Sequence, residues 1–302
     1  GNIYGSRITP NGEVLDYDGK LIFSGTTDQY SPVLAFDGEN YFMVWEDASG
    51  SDINVYGSRV DTSGTALDPS GIPISTVGEW QYYPAIGFAD TTFLVAWVDE
   101  RSMIVQEIYG ARVTKQGVVL DPSGILIATS LPSDTLSHFN PSVAFAGADW
   151  FCVYQKNDNN GSDPNIYGRR IATTGTIIDS FVISNAGNTQ SRPRVTFDGT
   201  NYLAIWQDTR PGSNYIEVYG ARITPSGTVL EPSGIPIATM PWDQWYPELA
   251  AGGTTYLAVW RDHRWGDTNA DPPDIYGARI NFSGTVLDPN GICISTAANR
   301  QY

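Results

Sequence analysis

Aromatic and amide side chains recur together in five short segments that each end in proline. These approach segments are Gln29-Tyr30-Ser31-Pro32, Gln81-Tyr82-Tyr83-Pro84, His138-Phe139-Asn140-Pro141, Gln190-Ser191-Arg192-Pro193 and Gln244-Trp245-Tyr246-Pro247. Flat aromatic faces pack on the C–H groups of sugars, while amides bind hydroxyl groups. The pattern therefore predicts a glycan-binding surface. Its candidate residues are Tyr30, Trp80, Gln81, Tyr82, Tyr83, His138, Phe139, Trp242, Gln244, Trp245 and Tyr246. The alternative is that the rings pack between repeats and the glutamines satisfy loop backbone groups.

The residues that directly follow these prolines form a second set whose side chains could take part in chemistry. The series is Val33, Ala85, Ser142, Arg194 and Glu248. If this position lines a central channel, Arg194 and Glu248 lie on adjacent repeats and are expected to pair. Glu248 is also a candidate catalytic carboxylate, but glycoside hydrolysis needs two carboxylates about 5–10 Å apart. Because Glu248 alone breaks the series inward, we predict no catalytic residue here.

Oxygen-bearing side chains alternate in one acidic stretch, at Asp267, Asn269 and Asp271. Calcium takes six to eight oxygen ligands, so this stretch is a candidate calcium site. The EF-hand pattern fails because no glycine stands at the sixth position and Ala278 occupies the twelfth. A solvated loop is the alternative, and no other cofactor is predicted.

The net charge excludes several classes of partner. The 302 residues carry 17 Lys+Arg against 33 Asp+Glu, a formal charge of −16. Such a surface repels phosphate backbones and anionic lipid headgroups, so we predict no nucleic-acid partner. No apolar run is long enough to span a membrane, and no basic-then-apolar signal peptide opens the chain. Cys152 and Cys293 lie in apolar runs and are expected to be buried free thiols.

Two signatures repeat along the chain and define its organisation. The first, Ile/Val-Tyr-Gly followed by a small residue or arginine and then arginine, has its glycines at Gly5, Gly57, Gly110, Gly168, Gly220 and Gly277. The second starts with an aromatic residue and ends, after three apolar residues, in tryptophan or tyrosine, at Trp45, Trp97, Tyr154, Trp206 and Trp260. Regular repetition of this kind indicates a repeat architecture.

One repeat holds four short predicted strands. In the second complete repeat they begin near Pro84, Phe93, Ile108 and Val118, and Asp121-Pro122-Ser123-Gly124 has the composition of a type I turn within the fourth. No stretch shows a helical period. Four-stranded units that each cover the next predict an all-β protein, a β-propeller of four-stranded blades. Five second-strand signatures favour five blades, and six copies of the first signature leave six as the alternative.

The motif Trp-x-Asp-x-Arg marks the end of the second strand in three repeats, as in Trp97-Asp99-Arg101. We predict that this aspartate pairs with a third-strand arginine of the same repeat. The predicted third-strand arginines are Arg7, Arg59, Arg112, Arg169, Arg222 and Arg279. The third complete repeat departs from the motif, because Lys156 takes the aspartate position.

Trp-x-Asp-x-Arg followed by Asp/Glu-Ile-Tyr-Gly-x-Arg resembles a repeat of secreted bacterial and archaeal β-propeller proteins. The resemblance covers nearly the whole chain, and it implies the fold and a place outside the cell. We therefore expect one propeller domain over residues 1–302, secreted or at the cell surface. Because both ends fall in mid-repeat, we also expect it to be a module of a longer chain.

Two functional hypotheses follow. The first is a non-catalytic adhesion or binding module, not an enzyme, that contacts glycans or another surface protein. The second is a glycoside hydrolase or lyase, which requires a group of carboxylates in one repeat that the other repeats lack.

Overall fold

The structure, a computed structural model, describes residues 1–129, 136–157, 163–210, 212–264 and 273–297, apart from the side chain of Ser49. All regular structure in these ranges is β-strand, and none of them contains a helix long and apolar enough to cross a membrane. The chain divides into two compact units, residues 1–135 and 136–302, which are described separately.

The first unit holds one two-stranded sheet and two four-stranded antiparallel sheets. The two-stranded sheet, called here the half-blade, consists of β1 (Ile3–Gly5) and β2 (Lys20–Phe23). Blade 1 consists of β3 (Asp28–Phe36), β4 (Tyr41–Ser49), β5 (Asp52–Val60) and β6 (Ile72–Ser75). Blade 2 consists of β7 (Gln81–Ala89), β8 (Thr92–Asp99), β9 (Glu107–Thr114) and β10 (Ile125–Ala128).

The second unit holds three four-stranded antiparallel sheets. Blade 3 consists of β11 (His138–Phe145), β12 (Asp149–Lys156), β13 (Asn165–Ala172) and β14 (Ile177–Ser184). Blade 4 consists of β15 (Gln190–Phe197), β16 (Tyr202–Asp208), β17 (Glu217–Ile223) and β18 (Ile235–Ala238). Blade 5 consists of β19 (Gln244–Gly252), β20 (Thr255–Asp262), β21 (Asp274–Asn281) and β22 (Ile292–Ser295).

The predicted fold class, an all-β propeller of four-stranded blades, is confirmed. In every blade the strands pair in chain order, each with its neighbour. The described residues form five complete blades and the outer half of another, six sheets in all. The favoured prediction of five blades equals the number of complete blades. The alternative of six equals the number of sheets when the half-blade is included. That residues 1–302 form a single domain stays a prediction.

The core of each unit lies between successive blades. In the first unit Phe42 and Val44 of β4 pack against Phe93 and Trp97 of β8. Alternate side chains of a strand point to opposite faces of the sheet. The second strand of a blade that is covered on both faces must therefore carry apolar side chains on both faces. Accordingly β16, in the middle of the second unit, is buried along its whole length.

The repeated glycine of the third strand is explained by close packing. A Cβ at Gly57 would lie 2.6 Å from the ring of Phe42, and one at Gly110 would lie 2.8 Å from the carbonyl oxygen of Val95. Neither position has room for a side chain, so any other residue would push the second and third strands apart.

The Trp-x-Asp-x-Arg motif closes on itself, which corrects the predicted pairing. Asp99 is fully buried and accepts hydrogen bonds from Trp97 Nε1 (2.8 Å) and from Arg101 Nε (2.8 Å) and Nη2 (2.6 Å). Arg101 also donates to the carbonyl oxygen of Ser123, and its guanidinium lies 3.8 Å from the ring centroid of Tyr109. The motif therefore ties the end of the second strand to the turn before the fourth. Asp208 and Asp262 form the same network in blades 4 and 5.

The third-strand arginine instead pairs with the acid of that turn, nine residues further on. Arg59 pairs with Asp68 and Arg112 with Asp121. In blade 3 the equivalent arginine is Arg170, which pairs with Asp179. The prediction of Arg169 as the third-strand arginine of this blade is therefore wrong. The six pairs are Arg7–Asp16, Arg59–Asp68, Arg112–Asp121, Arg170–Asp179, Arg222–Glu231 and Arg279–Asp288.

Blade 3 departs from the pattern, as the sequence predicted. Tyr154 replaces the tryptophan, and Lys156 Nζ lies 5.5 Å from the ring of Tyr167, where Arg101 covers Tyr109 in blade 2. Both cysteines are free, but only Cys152 is buried; Cys293 is exposed, which corrects that expectation. Burial raises the pKa of the Cys152 thiol to about 12.

We predict that Asp208→Ala destabilises the protein far more than Lys156→Ala. The first change leaves Trp206 and Arg210 without their buried acceptor, at a cost of about 2–4 kcal/mol. The second removes a cation–π contact worth about 0.5–1 kcal/mol. Chemical denaturation of the three proteins measures both differences, and equal losses of unfolding free energy would contradict the network.

We also predict that the free energy of unfolding falls as the pH drops below about 4. Hydrogen bonds from Arg59 hold the pKa of Asp68 below its usual range despite partial burial, and Arg279 does the same for Asp288. A lowered folded pKa gives stability that is present above the unfolded pKa, about 3.9, and is lost as the pH falls through the folded value. Denaturation curves between pH 6 and pH 2 should show a shallower acid loss for Asp68→Asn than for the unmodified chain, and identical slopes would contradict this.

Candidate functional site

Each approach segment carries a β-bulge in front of its proline. The pairing register shifts between Tyr82 and Ala85 in blade 2, and Tyr83 has a φ of +52°. The same positive φ occurs at Ser31, Asn140, Arg192 and Tyr246. A bulge re-aims a side chain and frees its N–H from the ladder. The bulged residue therefore faces outward, and its N–H is available to another group.

In the first unit the N–H of the bulged residue Tyr83 donates to Glu46. Its Oε1 accepts the Tyr83 N–H at 2.8 Å, which joins blade 1 to the approach segment of blade 2. Glu46 lies opposite Tyr30 in the register of β3 and β4 and is 7% exposed. This carboxylate is therefore held at the start of two inner strands.

Glu100 contacts the other tyrosine of the pair, Tyr82. Its Oε1 accepts hydrogen bonds from Tyr82 Oη (2.8 Å) and Gln106 Nε2 (2.9 Å). Its own N–H donates to the carbonyl oxygen of Trp80. Burial, and next the Glu100 carboxylate, raise the pKa of Tyr82 well above its usual range. Tyr82 thus stays protonated and keeps its donor aimed at Glu100.

Both glutamates break the repeat. The position of Glu46, between the tryptophan and the aspartate, holds Val98, Gln155, Gln207 and Arg261 elsewhere. The position of Glu100 holds Thr209 and His263 in blades 4 and 5. In the described part of the chain neither glutamate forms an ion pair, whereas Asp99 does. These two glutamates were not predicted from the sequence. An alignment of the repeats on their tryptophans would have shown both as exceptions.

Three half-exposed aromatic residues lie in or next to the approach segments of blades 1 and 2. Tyr30, Trp80 and Tyr83 are each about half exposed, at 48%, 48% and 45%. Trp80 Nε1 donates to the carbonyl oxygen of Ser51, which fixes the indole beside blade 1. A cavity of about 280 Å³ adjoins Glu100 and is lined by Glu79, Glu100, Met103, Ile104, Val105 and Gln106. We call Tyr30, Glu46, Trp80, Tyr82, Tyr83 and Glu100 the carboxylate site.

The approach segment of blade 5 differs in charge. Gln207 Oε1 accepts the Tyr246 N–H at 3.0 Å, so a neutral amide takes the place that Glu46 has in the first unit. The guanidinium groups of Arg192 and Arg261 lie 4.4 and 5.2 Å from the Tyr246 ring centroid. The second unit thus combines exposed aromatics with positive charge at this position.

Several predicted ligand contacts lie inside the protein instead. Gln81 and Gln244 are fully buried, and their amides donate to the loop carbonyls of Gly78 and Trp242. His138 is 1% exposed and packs on Tyr154. As placed, these three side chains do not reach a ligand at the surface. Of the remaining predicted residues, Trp242 is half exposed beside Tyr215, Trp245 is partly buried beside His263, and Phe139 is partly buried.

The predicted pair Arg194–Glu248 is present in the second unit. Arg194 Nε donates to Glu248 Oε1 at 2.9 Å, between β15 and β19. Because Glu248 is committed to this arginine, it is not a free catalytic carboxylate.

The candidate calcium ligands Asp267, Asn269 and Asp271 lie outside the described residues. Within the described ranges no group of three or more His, Cys, Asp or Glu side chains is arranged to hold a metal ion. The calcium site stays a prediction from sequence.

Comparison with known proteins gives structural neighbours only. No family model and no curated protein matches the sequence. A thermostable family-43 glycoside hydrolase is 14% identical with a TM-score of 0.54, covering 93% of this chain and 98% of its own. An alpha-L-arabinofuranosidase from Lactobacillus brevis is 14% identical with a TM-score of 0.54, covering 91% and 96%. A putative TolB from Agrobacterium tumefaciens is 15% identical with a TM-score of 0.54, covering 92% and 84%.

These neighbours correct the functional hypothesis. At such identities the likeness shows the fold. Two of the three proteins are glycoside hydrolases, so the prediction of a non-catalytic module that is not an enzyme is contradicted. Its alternative, a glycoside hydrolase, is the hypothesis that we retain.

Proposed function

We propose that this protein is a glycoside hydrolase whose catalytic carboxylates are Glu46 and Glu100. The observation that carries the proposal is their placement. Two acids that the repeat does not require, and that no cation neutralises in the described residues, accept hydrogen bonds from one tyrosine pair, Tyr82 and Tyr83. Tyr30, Trp80 and Tyr83, in the same approach segments or next to them, are about half exposed.

The chemistry needs two carboxyl groups with different protonation states. One carboxyl protonates the glycosidic oxygen as the bond to the anomeric carbon breaks. The other, as a carboxylate, either takes a proton from the attacking water or attacks the anomeric carbon itself. In this proposal Glu46, which accepts the Tyr83 N–H, is the acid. Glu100, whose Oε1 accepts hydrogen bonds from Tyr82 and Gln106, is the carboxylate.

The aromatic rings provide the substrate platform in this proposal. Tyr30, Trp80 and Tyr83 offer flat faces to sugar rings around the two acids. The net charge of −16 fits a neutral glycan better than an anionic one. We also propose that the protein acts outside the cell, on the strength of the repeat that it resembles.

We predict that Glu46→Gln leaves the protein folded and lowers kcat/KM by about 100-fold or more, because an amide cannot donate the catalytic proton. The fold is expected to survive because Gln207 accepts the equivalent N–H in blade 5. Glu100→Gln should lose a similar factor. The assay is hydrolysis of a panel of aryl glycosides and oligosaccharides that includes α-L-arabinofuranosides.

The matched control is Gln207→Glu, the reverse exchange at the equivalent position of the second unit, which should leave both kcat and KM unchanged. Failure of the unmodified protein to hydrolyse any glycoside in the panel would contradict the proposal. So would a Glu46→Gln variant of full activity.

We further predict that Trp80→Ala raises KM about tenfold with little change in kcat, since the indole binds substrate without touching the reacting atoms. Tyr17→Ala removes an aromatic ring that is 83% exposed and lies outside the approach segments, and it serves as the control. Steady-state kinetics on the best substrate of the panel measures both. Equal KM values for the two variants would remove Trp80 from the platform.

A further inference from the structure

The half-blade contains the third and fourth strands of a blade without the first and second. β1 matches the third strands, because it carries the Ile-Tyr-Gly signature and Arg7 pairs with Asp16 nine residues later. β2 matches the fourth strands in its contacts as well. Lys20 lies against Gly64 of blade 1 as Ile72 lies against Gly117 of blade 2. The half-blade is therefore seated on blade 1 as blade 1 is seated on blade 2.

The inner edge of β1 is open. Among the described residues β1 pairs only with β2, whereas β5, β9, β13, β17 and β21 each pair on both sides. β1 has three residues, while the complete third strands have seven to nine. β1 itself ends at Gly5, and beyond it an isolated antiparallel bridge joins Ile8 to Val14.

Apolar side chains that are buried in complete blades are exposed here. Ile8 is 65% exposed, yet the equivalent residues in the complete blades are at most 5% exposed: Val60, Val113, Ile171, Ile223 and Ile280. Each of those residues stands opposite an aromatic or other residue that opens the second strand, as Val113 stands opposite Phe93. Tyr4 is 58% exposed, whereas its equivalents are less exposed: Tyr276, opposite Trp260, is 9% exposed, and Tyr56, Tyr109, Tyr167 and Tyr219 are partly buried.

A groove runs between this edge and blade 1. Its volume is about 530 Å³, and its apolar lining includes Ile8, Ile22, Leu34, Met43 and Val60. Met43 and Val60 also belong to the cluster in which Ile3 and Phe23 pack on Trp45. The groove is thus continuous with the contact that already holds the half-blade on blade 1.

We infer that this groove is a docking site for a β-hairpin of the inner type found in the five complete blades. Such a hairpin supplies backbone groups to the open edge of β1, an aromatic residue opposite Ile8 and a tryptophan opposite Tyr4. Addition of strands to an open sheet edge, with side chains seated in pockets, is an established mode of peptide binding. The occupant is recognised by the apolar alternation and the aromatic positions of its second strand.

The test uses the full chain and a labelled peptide that copies residues 81–99, the inner hairpin of blade 2. We expect saturable 1:1 binding by fluorescence anisotropy and a higher melting temperature with peptide present. Hydrogen exchange should slow over residues 3–8. Ile8→Asp should weaken binding at least about tenfold, because a carboxylate would be buried in an apolar groove.

Ile8 is exposed in the free protein, so Ile8→Asp should not unfold it. The control is Val118→Asp, which changes another exposed apolar residue of the first unit (55%) and should bind the peptide normally. No saturable binding, or equal binding by Ile8→Asp, would overturn the inference. Sedimentation that shows a dimer of the free chain dissociated by Ile8→Asp would overturn it too, because a second copy would then be the occupant.

Discussion

The buried aspartate of Trp-x-Asp-x-Arg is the interaction on which blades 2, 4 and 5 depend. Asp99, with no exposure, accepts hydrogen bonds from a tryptophan and an arginine, and that arginine holds the carbonyl oxygen of Ser123. One carboxylate thus joins the second strand to the turn before the fourth. A buried charge tolerates few alternatives, since loss of either partner leaves the other unpaired. This explains why the motif returns unchanged in blades 4 and 5.

Because the blades repeat so closely, a comparison of equivalent positions distinguishes residues with a structural role from residues without one. The acids of the motif and of the turns are each paired with an arginine, so their charges are already used. Glu46 and Glu100 belong to neither set. They lie near or just beyond the ends of second strands, and they hydrogen-bond to the start of the first strand β7, where a bulge turns Tyr83 outward. The same comparison identifies Ile8 as exposed where the repeat requires burial. In both cases departure from the repeat marks a surface to which we assign a function.

Much of the fold could be predicted because its signals are local. The turn at Asp121 to Gly124 follows from its composition, and the hydrogen bond from the Gly124 N–H to the Asp121 carbonyl oxygen forms as expected. The pairing of Asp99 could not be predicted from strand adjacency, because Arg101 is two residues away and folds back in the turn. The candidate site was predicted only in its aromatic part. Its carboxylates were not predicted, because each occurs in a single repeat and the prediction rested on features that recur. Gln81 and Gln244 are buried rather than at the surface, because sequence does not show which way an amide points.

The most direct measurement of the account is a crystal structure of the Glu46→Gln variant soaked with an oligosaccharide substrate. We expect a sugar ring stacked on Trp80 or Tyr83, with a glycosidic oxygen within hydrogen-bonding distance of the residue 46 side chain and Glu100 at the anomeric carbon. A sugar bound instead beside the Arg194–Glu248 pair, with the carboxylate site empty, would contradict it.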